Sequence, residues 1–153
     1  MKRIFLLMIL VSVQSYAQSS GQEMELLMST PAVTYAQAAR FILEASSPET
    51  AFNHEEAFLY VKEKGWLPKS AAADDAARLD VVSKIILNAF GIKGGIMYSL
   101  TKSPHFAYRE LVYMNIIQGR VIASMPVSGE HLLFIIGRLL TEAENREQRA
   151  GSR

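Results

Sequence analysis

An arginine and an aspartate stand two residues apart at Arg78 and Asp80, with a lone tryptophan at Trp66 and two further arginines at Arg109 and Arg120. This set suits recognition more than bond-breaking. A guanidinium presents a planar fork of donors that matches a carboxylate. An indole presents an apolar face and one N–H, which fits a sugar ring. Each residue also has a plainer use. Aspartate in a first helical turn is favoured by the positive helix end, exposed arginines commonly pair with neighbouring acids, and a tryptophan just after Gly65 makes a packing anchor at a turn.

Residues with bond-making chemistry do not fall into working patterns. His54, His105 and His131 lack the His-x-x-x-His spacing that puts two ligands on one helix face, so no metal is expected. Glu55-Glu56 and Asp74-Asp75 are adjacent and diverge on a helix, unlike the convergent carboxylates of a glycosidase. Val127-Ser128-Gly129-Glu130 is not a nucleophile elbow, and Ser128 reads as a helix cap. Gly91-Ile92-Lys93-Gly94-Gly95 lacks the Gly-Lys-Ser/Thr signature of a phosphate cradle. A non-catalytic protein without a cofactor is the expectation.

The elements that would carry these residues read as helices. Thr34 and Gln37 form a capping box ahead of Tyr35, Ala38, Ala39 and Ile42, which share one face. Asn53 and Glu56 repeat the device before Ala57, Tyr60 and Val61, and Gly65 supplies a left-handed stop. After an alanine-rich loop, Asp75 or Ala77 opens a third helix with Leu79, Val82, Ile86 and Ala89 on one side. Ile96 to Leu100 is a short helix or packed turn beyond Gly94-Gly95. Ser103-Pro104 starts another helix, with serine as cap and proline at the first position, and Gly119 closes it. The last helix opens at Ser128 with Leu132, Leu133, Ile135, Ile136, Leu139 and Leu140, a surface broad enough to place it at the centre. Strand alternation is nearly absent; only Gly119 to Met125 can pair briefly.

One pattern recurs three times. Val33-Thr34-Tyr35-Ala36-Gln37, Ala76-Ala77-Arg78-Leu79-Asp80 and Val127-Ser128-Gly129-Glu130-His131 each precede an apolar helix. The last two follow glycine turns, Gly65-Trp66-Leu67-Pro68 and Gly119-Arg120-Val121-Ile122. Small helix–loop–helix units cannot bury their apolar faces alone, so they must stack, and grooves between them are binding surfaces. The fold class expected is all-α, a small bundle of three pseudo-repeated units with little or no sheet.

The ends set the location. Lys2 and Arg3, the apolar run Ile4 to Val13 and Ser15-Tyr16-Ala17 read as an export signal cleaved after Ala17. That run is about half the roughly 20 residues a membrane span needs. Residues 18–29 are expected to be a flexible segment, 30–141 the domain and 142–153 a polar tail. Loss of the signal lowers the basic count from 16 to 14 against 15 acids, a balance without the basic stripe that nucleic-acid binding needs. The absence of cysteine excludes disulfides and an acylated-cysteine anchor.

From about Thr30 to Leu140 the spacing resembles the S-layer homology family, with a truncated copy at Pro31 to Ala45 and others at Asn53 to Phe90 and Pro104 to Leu140. That family's repeats pair a helix and glycine turn with a Thr-Arg-Ala-Glu-type motif opening a second helix. The resemblance implies a three-lobed exported module that binds cell-wall polysaccharide, a motif arginine holding anionic sugar substituents. Only the second copy offers both charges, in Arg78 and Asp80. Trp66 would join Arg78 and Asp80 in holding the ligand, and Arg109, Glu110 and Arg120 would line the groove of the third copy. Loss of the motif arginine from two copies points to the alternative, an envelope scaffold for a protein partner.

Overall fold

The structure, a computed structural model, describes residues 21–119 and 121–151. The expected signal and its cleavage site lie outside those residues, as does Arg120. Helices dominate: α1 (21–29), α2 (Tyr35–Ser46), α3 (His54–Glu63), α4 (Leu79–Ala89), α5 (Ile96–Thr101), α6 (Pro104–Tyr113) and α7 (Gly129–Gly151). No sheet forms among the described residues, only isolated antiparallel bridges between Thr34 and Ala76 and between Arg78 and Pro126. The all-α class is therefore as expected.

Three backbone amides close a ring that ties the repeats together. Val33 donates to the carbonyl of Val127 (2.8 Å), Val127 donates to Ala77 (2.9 Å), and Ala77 donates to Val33 (2.8 Å). All three residues are fully buried. The helices α2, α4 and α7 start two residues beyond these points, and their first amides, which no intrahelical carbonyl can reach, donate across the same seams. Tyr35 donates to Asp75, Leu79 to Met125 and Gly129 to Thr30, at 2.9–3.1 Å. A three-way junction thus replaces a sheet as the means of satisfying helix starts in the interior.

The ring sets the register of the repeats, and it corrects two expectations. Ala77, not Ala76, matches Val33 and Val127, so the second copy is Ala77-Arg78-Leu79-Asp80-Val81, one residue later than its composition suggested. Accordingly α4 begins at Leu79 rather than at Asp75 or Ala77. The residue matching Gly65 is Asn115, not Gly119. Both precede the ring residue of their repeat by the same interval, both have positive φ (71° and 57°), and both are followed by an amide that turns back onto the helix, Trp66 to Val61 and Ile116 to Leu111. Asparagine tolerates the left-handed conformation and hid the stop from a search for glycine.

Packing follows from the register. Helix α3 packs on α2, α6 packs on α4, and α2 packs on α4. Equivalent positions carry equivalent core residues: Ala57 and Ala107, Val61 and Leu111, Leu67 and Ile117, and the series Ala38, Val82, Leu132. Phe58 rather than Tyr60 joins Ala57 and Val61 in the core. Helix α4 is the central element, with Leu79, Val81, Val82, Ile85, Ile86 and Leu87 buried; each large aliphatic removed from water contributes about 1.5–3 kcal/mol. The central place expected for α7 is overturned, because Phe134 and Leu140 on that helix are exposed.

The termini differ from expectation as well. Residues 21–29, expected to be flexible, form α1, whose Leu27 is buried in the common core. Its carbonyl lies against Gly129, where a Cβ would overlap it, so only glycine fits that first position of α7. The expected tail is polar but helical as far as it is described, a continuation of α7 to Gly151, with residues 143–149 exposed. No helix among the described residues is long and apolar enough to cross a membrane.

Candidate functional site

The Arg78–Asp80 pair is best understood from the helix start on which it sits. In α2 the third helical amide, Gln37, donates to the Thr34 hydroxyl (3.2 Å), and the Thr34 amide donates to the Gln37 side-chain oxygen (2.9 Å), as expected of a capping box. In α7 the His131 amide donates to the Ser128 hydroxyl (3.2 Å). Arg78 occupies the matching position of α4 and has no capping atom. Asp80 takes over: its Oδ1 accepts the equivalent amide, Val81, at 2.8 Å. Arg78 then binds the carboxylate with both arms of its fork, Nε to Oδ1 at 3.2 Å and Nη2 to Oδ2 at 2.6 Å.

The Asp80 side chain is 9 % exposed and that of Arg78 51 %. Asp80 holds the Arg78 guanidinium above its ordinary pKa through that bond. The fork that would hold a sugar acid is therefore engaged within the chain, in a role that substitutes for a missing serine or threonine. In the corrected register the position assigned by resemblance to a ligand-binding arginine holds Tyr35, Leu79 and Gly129. Tyr35 is buried, and that burial raises the pKa of its phenol.

Trp66 follows the α3 stop and meets Tyr60 edge to face, with ring centroids 5.9 Å apart; Tyr60 in turn lies 5.4 Å from Phe52. The indole is partly buried against the core, as a packing anchor would be. Arg109 is exposed on α6 and makes no ion pair among the described residues. No hydrogen bond or ion pair joins Trp66, Arg78 and Arg109 to one another, and the three stand on different elements. His54 and His105 are exposed on α3 and α6, and His131 lies in the first turn of α7, where burial lowers its pKa.

A further concave surface lies away from these residues. A groove of about 710 Å³ runs between the end of α6 and the outer face of α7, lined by Met114, Asn115, Ile116, Phe134, Gly137, Arg138, Thr141 and Glu142. Phe134 is 54 % exposed, with the Arg138 guanidinium 5.4 Å from its ring centre. Gly137 has open space where a Cβ would stand. No contact among the described residues therefore requires glycine there, although glycine inside a helix costs about 1 kcal/mol relative to alanine.

Sequence reasoning missed this groove because its lining mixes ordinary residues from two segments. The available signal was position: Phe134 follows Val127 by seven residues, as Lys84 follows Ala77, and the change from lysine to phenylalanine on an exposed face marks it. In repeat 2 the matching site is closed. Lys84 donates to the carbonyl of Gly65 (3.0 Å), Leu87 is fully buried, and Asn88 donates to the Tyr98 hydroxyl of α5 (2.8 Å). No family model, curated protein or solved structure matches the chain.

Proposed function

We propose that this chain is an exported, non-catalytic module of the cell envelope, an S-layer-homology-like scaffold of three helical repeats that receives a helix of a protein partner in the α6–α7 groove. The single observation that carries this reading is the groove itself. It is floored by a glycine with no intrachain reason and walled by Phe134, Met114 and Ile116. At the corresponding place in repeat 2 the surface is filled from within the chain, where Lys84 donates to the Gly65 carbonyl and Asn88 to the Tyr98 hydroxyl. Apolar walls with a few polar groups at the rim suit a protein segment more than a hydrated sugar.

A second reading, an anionic wall glycan at Arg78, draws on that side chain being half-exposed. One experiment separates the two. A photo-crosslinking residue at position 134, in cells that export the protein, is expected to give a discrete protein adduct that disappears in Gly137→Leu, while the same residue at position 109 gives none. Co-sedimentation of purified protein with isolated sacculi, abolished by Arg78→Ala, would replace the protein-partner reading with the glycan one.

A further inference from the structure

The spacing of the ring residues is 44 between the first and second repeats and 50 between the second and third. The difference is six residues, the length of α5. It falls between α4 and α6, because everything from α3 to Ala77 maps onto α6 to Val127 at a constant offset. Helix α5 is therefore an addition that the repeat does not need. Its inner side is fixed. Tyr98 is 1 % exposed, its hydroxyl accepts from Asn88, and the Lys102 ammonium lies 4.9 Å from its ring centre.

The outer side is bare. Ile96 is 79 % exposed, Leu100 77 % and Met97 52 %, and their spacing places them together on one face of the helix. Side chains this open stand proud of the surface instead of lining a groove. Exposed aliphatic groups gathered this way mark an interaction site. The surrounding charge is one-sided. From Val81 to Arg109 the chain carries Lys84, Lys93, Lys102 and Arg109 and no acid, although the whole chain is nearly balanced, with 16 bases against 15 acids. Lys93 and Lys102 are exposed and bracket α5, and the nearest acid, Glu110, rests against Gly95 at its base.

We propose that α5 is a membrane-docking tip: Ile96, Met97 and Leu100 enter the interfacial layer of an anionic phospholipid bilayer while Lys93 and Lys102 bind its headgroup phosphates. A short apolar face supplies shallow burial, and flanking lysines add attraction to a negative surface while their stems lie along it. Rigid anchoring through Tyr98 presents the three side chains already ordered, which lowers the entropy lost on binding. This docking is separate from the groove and does not depend on what occupies it.

The chain has no cysteine, so Met97→Cys provides a unique thiol for a polarity-sensitive fluorophore on the tip. The labelled protein is expected to shift to the blue with phosphatidylglycerol–phosphatidylethanolamine vesicles and not with phosphatidylcholine vesicles. The shift should fade as salt rises from about 0.1 to about 0.5 M. Ile96→Ser with Leu100→Ser should weaken it at least about tenfold with the melting temperature unchanged, because these side chains are exposed, and Lys93→Gln with Lys102→Asn several-fold, with only a small fall in melting temperature from the lost Lys102–Tyr98 contact. The same fluorophore at Glu63→Cys should not respond. No shift at position 97, an equal shift on neutral vesicles, or full retention in the Ile96–Leu100 variant would overturn the proposal. A shift produced by an envelope protein fraction and not by vesicles would overturn it in favour of a protein contact.

Discussion

In repeat 2, Lys84 reaches back to the carbonyl of Gly65 and Leu87 is buried, whereas in repeat 3 the same two positions are Phe134, bare to solvent, and Gly137, with nothing above it. The backbones nevertheless correspond closely. Each unit turns off its first helix through a left-handed residue and donates from its ring amide to a neighbour. Each also buries an alanine and an aliphatic residue from that helix. The lesson is that ring and inner faces are constrained by burial and backbone hydrogen bonding, while outer positions are free to become a filled surface or an open groove. Helix α7 continues to Gly151 where α4 stops at Phe90, so among the described residues no segment turns back from its end as the chain does after α4.

The comparison breaks most visibly when an inner and an outer position receive the same change. Ile86→Asp puts an unpaired charge into a fully buried site and should cost about 4–5 kcal/mol or more, comparable with the whole stability of a domain this size. Phe134→Asp should cost less than about 0.5 kcal/mol. Urea unfolding of both variants tests this, and a folded Ile86→Asp protein would mean that the inner face is not where the ring places it. Next in size is Gly129→Ala, whose methyl would collide with the Leu27 carbonyl; a loss of about 1–3 kcal/mol is expected by thermal unfolding.

The helix starts offer a finer contrast. Asp80→Ala should cost about 1–2 kcal/mol, because the Val81 amide loses its acceptor. Adding Arg78→Ser should recover most of that loss by giving α4 the cap that Thr34 and Ser128 give α2 and α7. Failure of this rescue, measured by chemical denaturation, would return the pair to the list of ligand-binding groups. Gly137→Leu makes repeat 3 resemble repeat 2 and should stabilise the chain by about 0.5–1 kcal/mol through helix propensity, while removing the adduct from position 134.

The smallest effect concerns pH. Burial lowers the His131 pKa in the folded state. As pH falls below the ordinary histidine value of about 6.5, the unfolded chain then takes up the proton before the folded one does. Stability contributed by neutral His131 is present above that value and is lost as pH falls through the folded pKa. His131→Gln should therefore flatten the melting-temperature decline between about pH 7 and pH 5 relative to wild type, and an unchanged slope would show that the imidazole is equally solvated in both states.

Much of the architecture was legible in the residues. The capping boxes at Thr34–Gln37 and Asn53–Glu56 form as their spacing predicts, since a cap is a local hydrogen-bond pattern that needs no distant partner. The helical periodicity of Leu79, Val82 and Ile86 likewise marked a buried face. Misreadings occurred where two local solutions are chemically equivalent. Asparagine at 115 serves as well as glycine at 65, and an aspartate one residue inside the helix serves as well as a hydroxyl at its cap. Ser103 precedes Pro104 as expected but makes no side-chain cap bond.

What the sequence by itself determined is therefore the helices α2, α3, α4, α6 and the first half of α7, the capping boxes of α2 and α3, and most of the apolar faces these helices hide, because these depend on contacts within a turn or two of chain, whereas α1 and the extension of α7 to Gly151 were not legible. Tertiary structure alone decided how the three copies align, since the ring of Val33, Ala77 and Val127 is made of backbone groups that every residue carries and no side chain announces. It also decided that Arg78 serves a helix start, that α4 and not α7 is central, and that the groove opens in repeat 3. Each of those outcomes depends on which segments meet across long separations, and the energy of such a meeting resides in burial and hydrogen bonding that exist only once the chain has closed on itself.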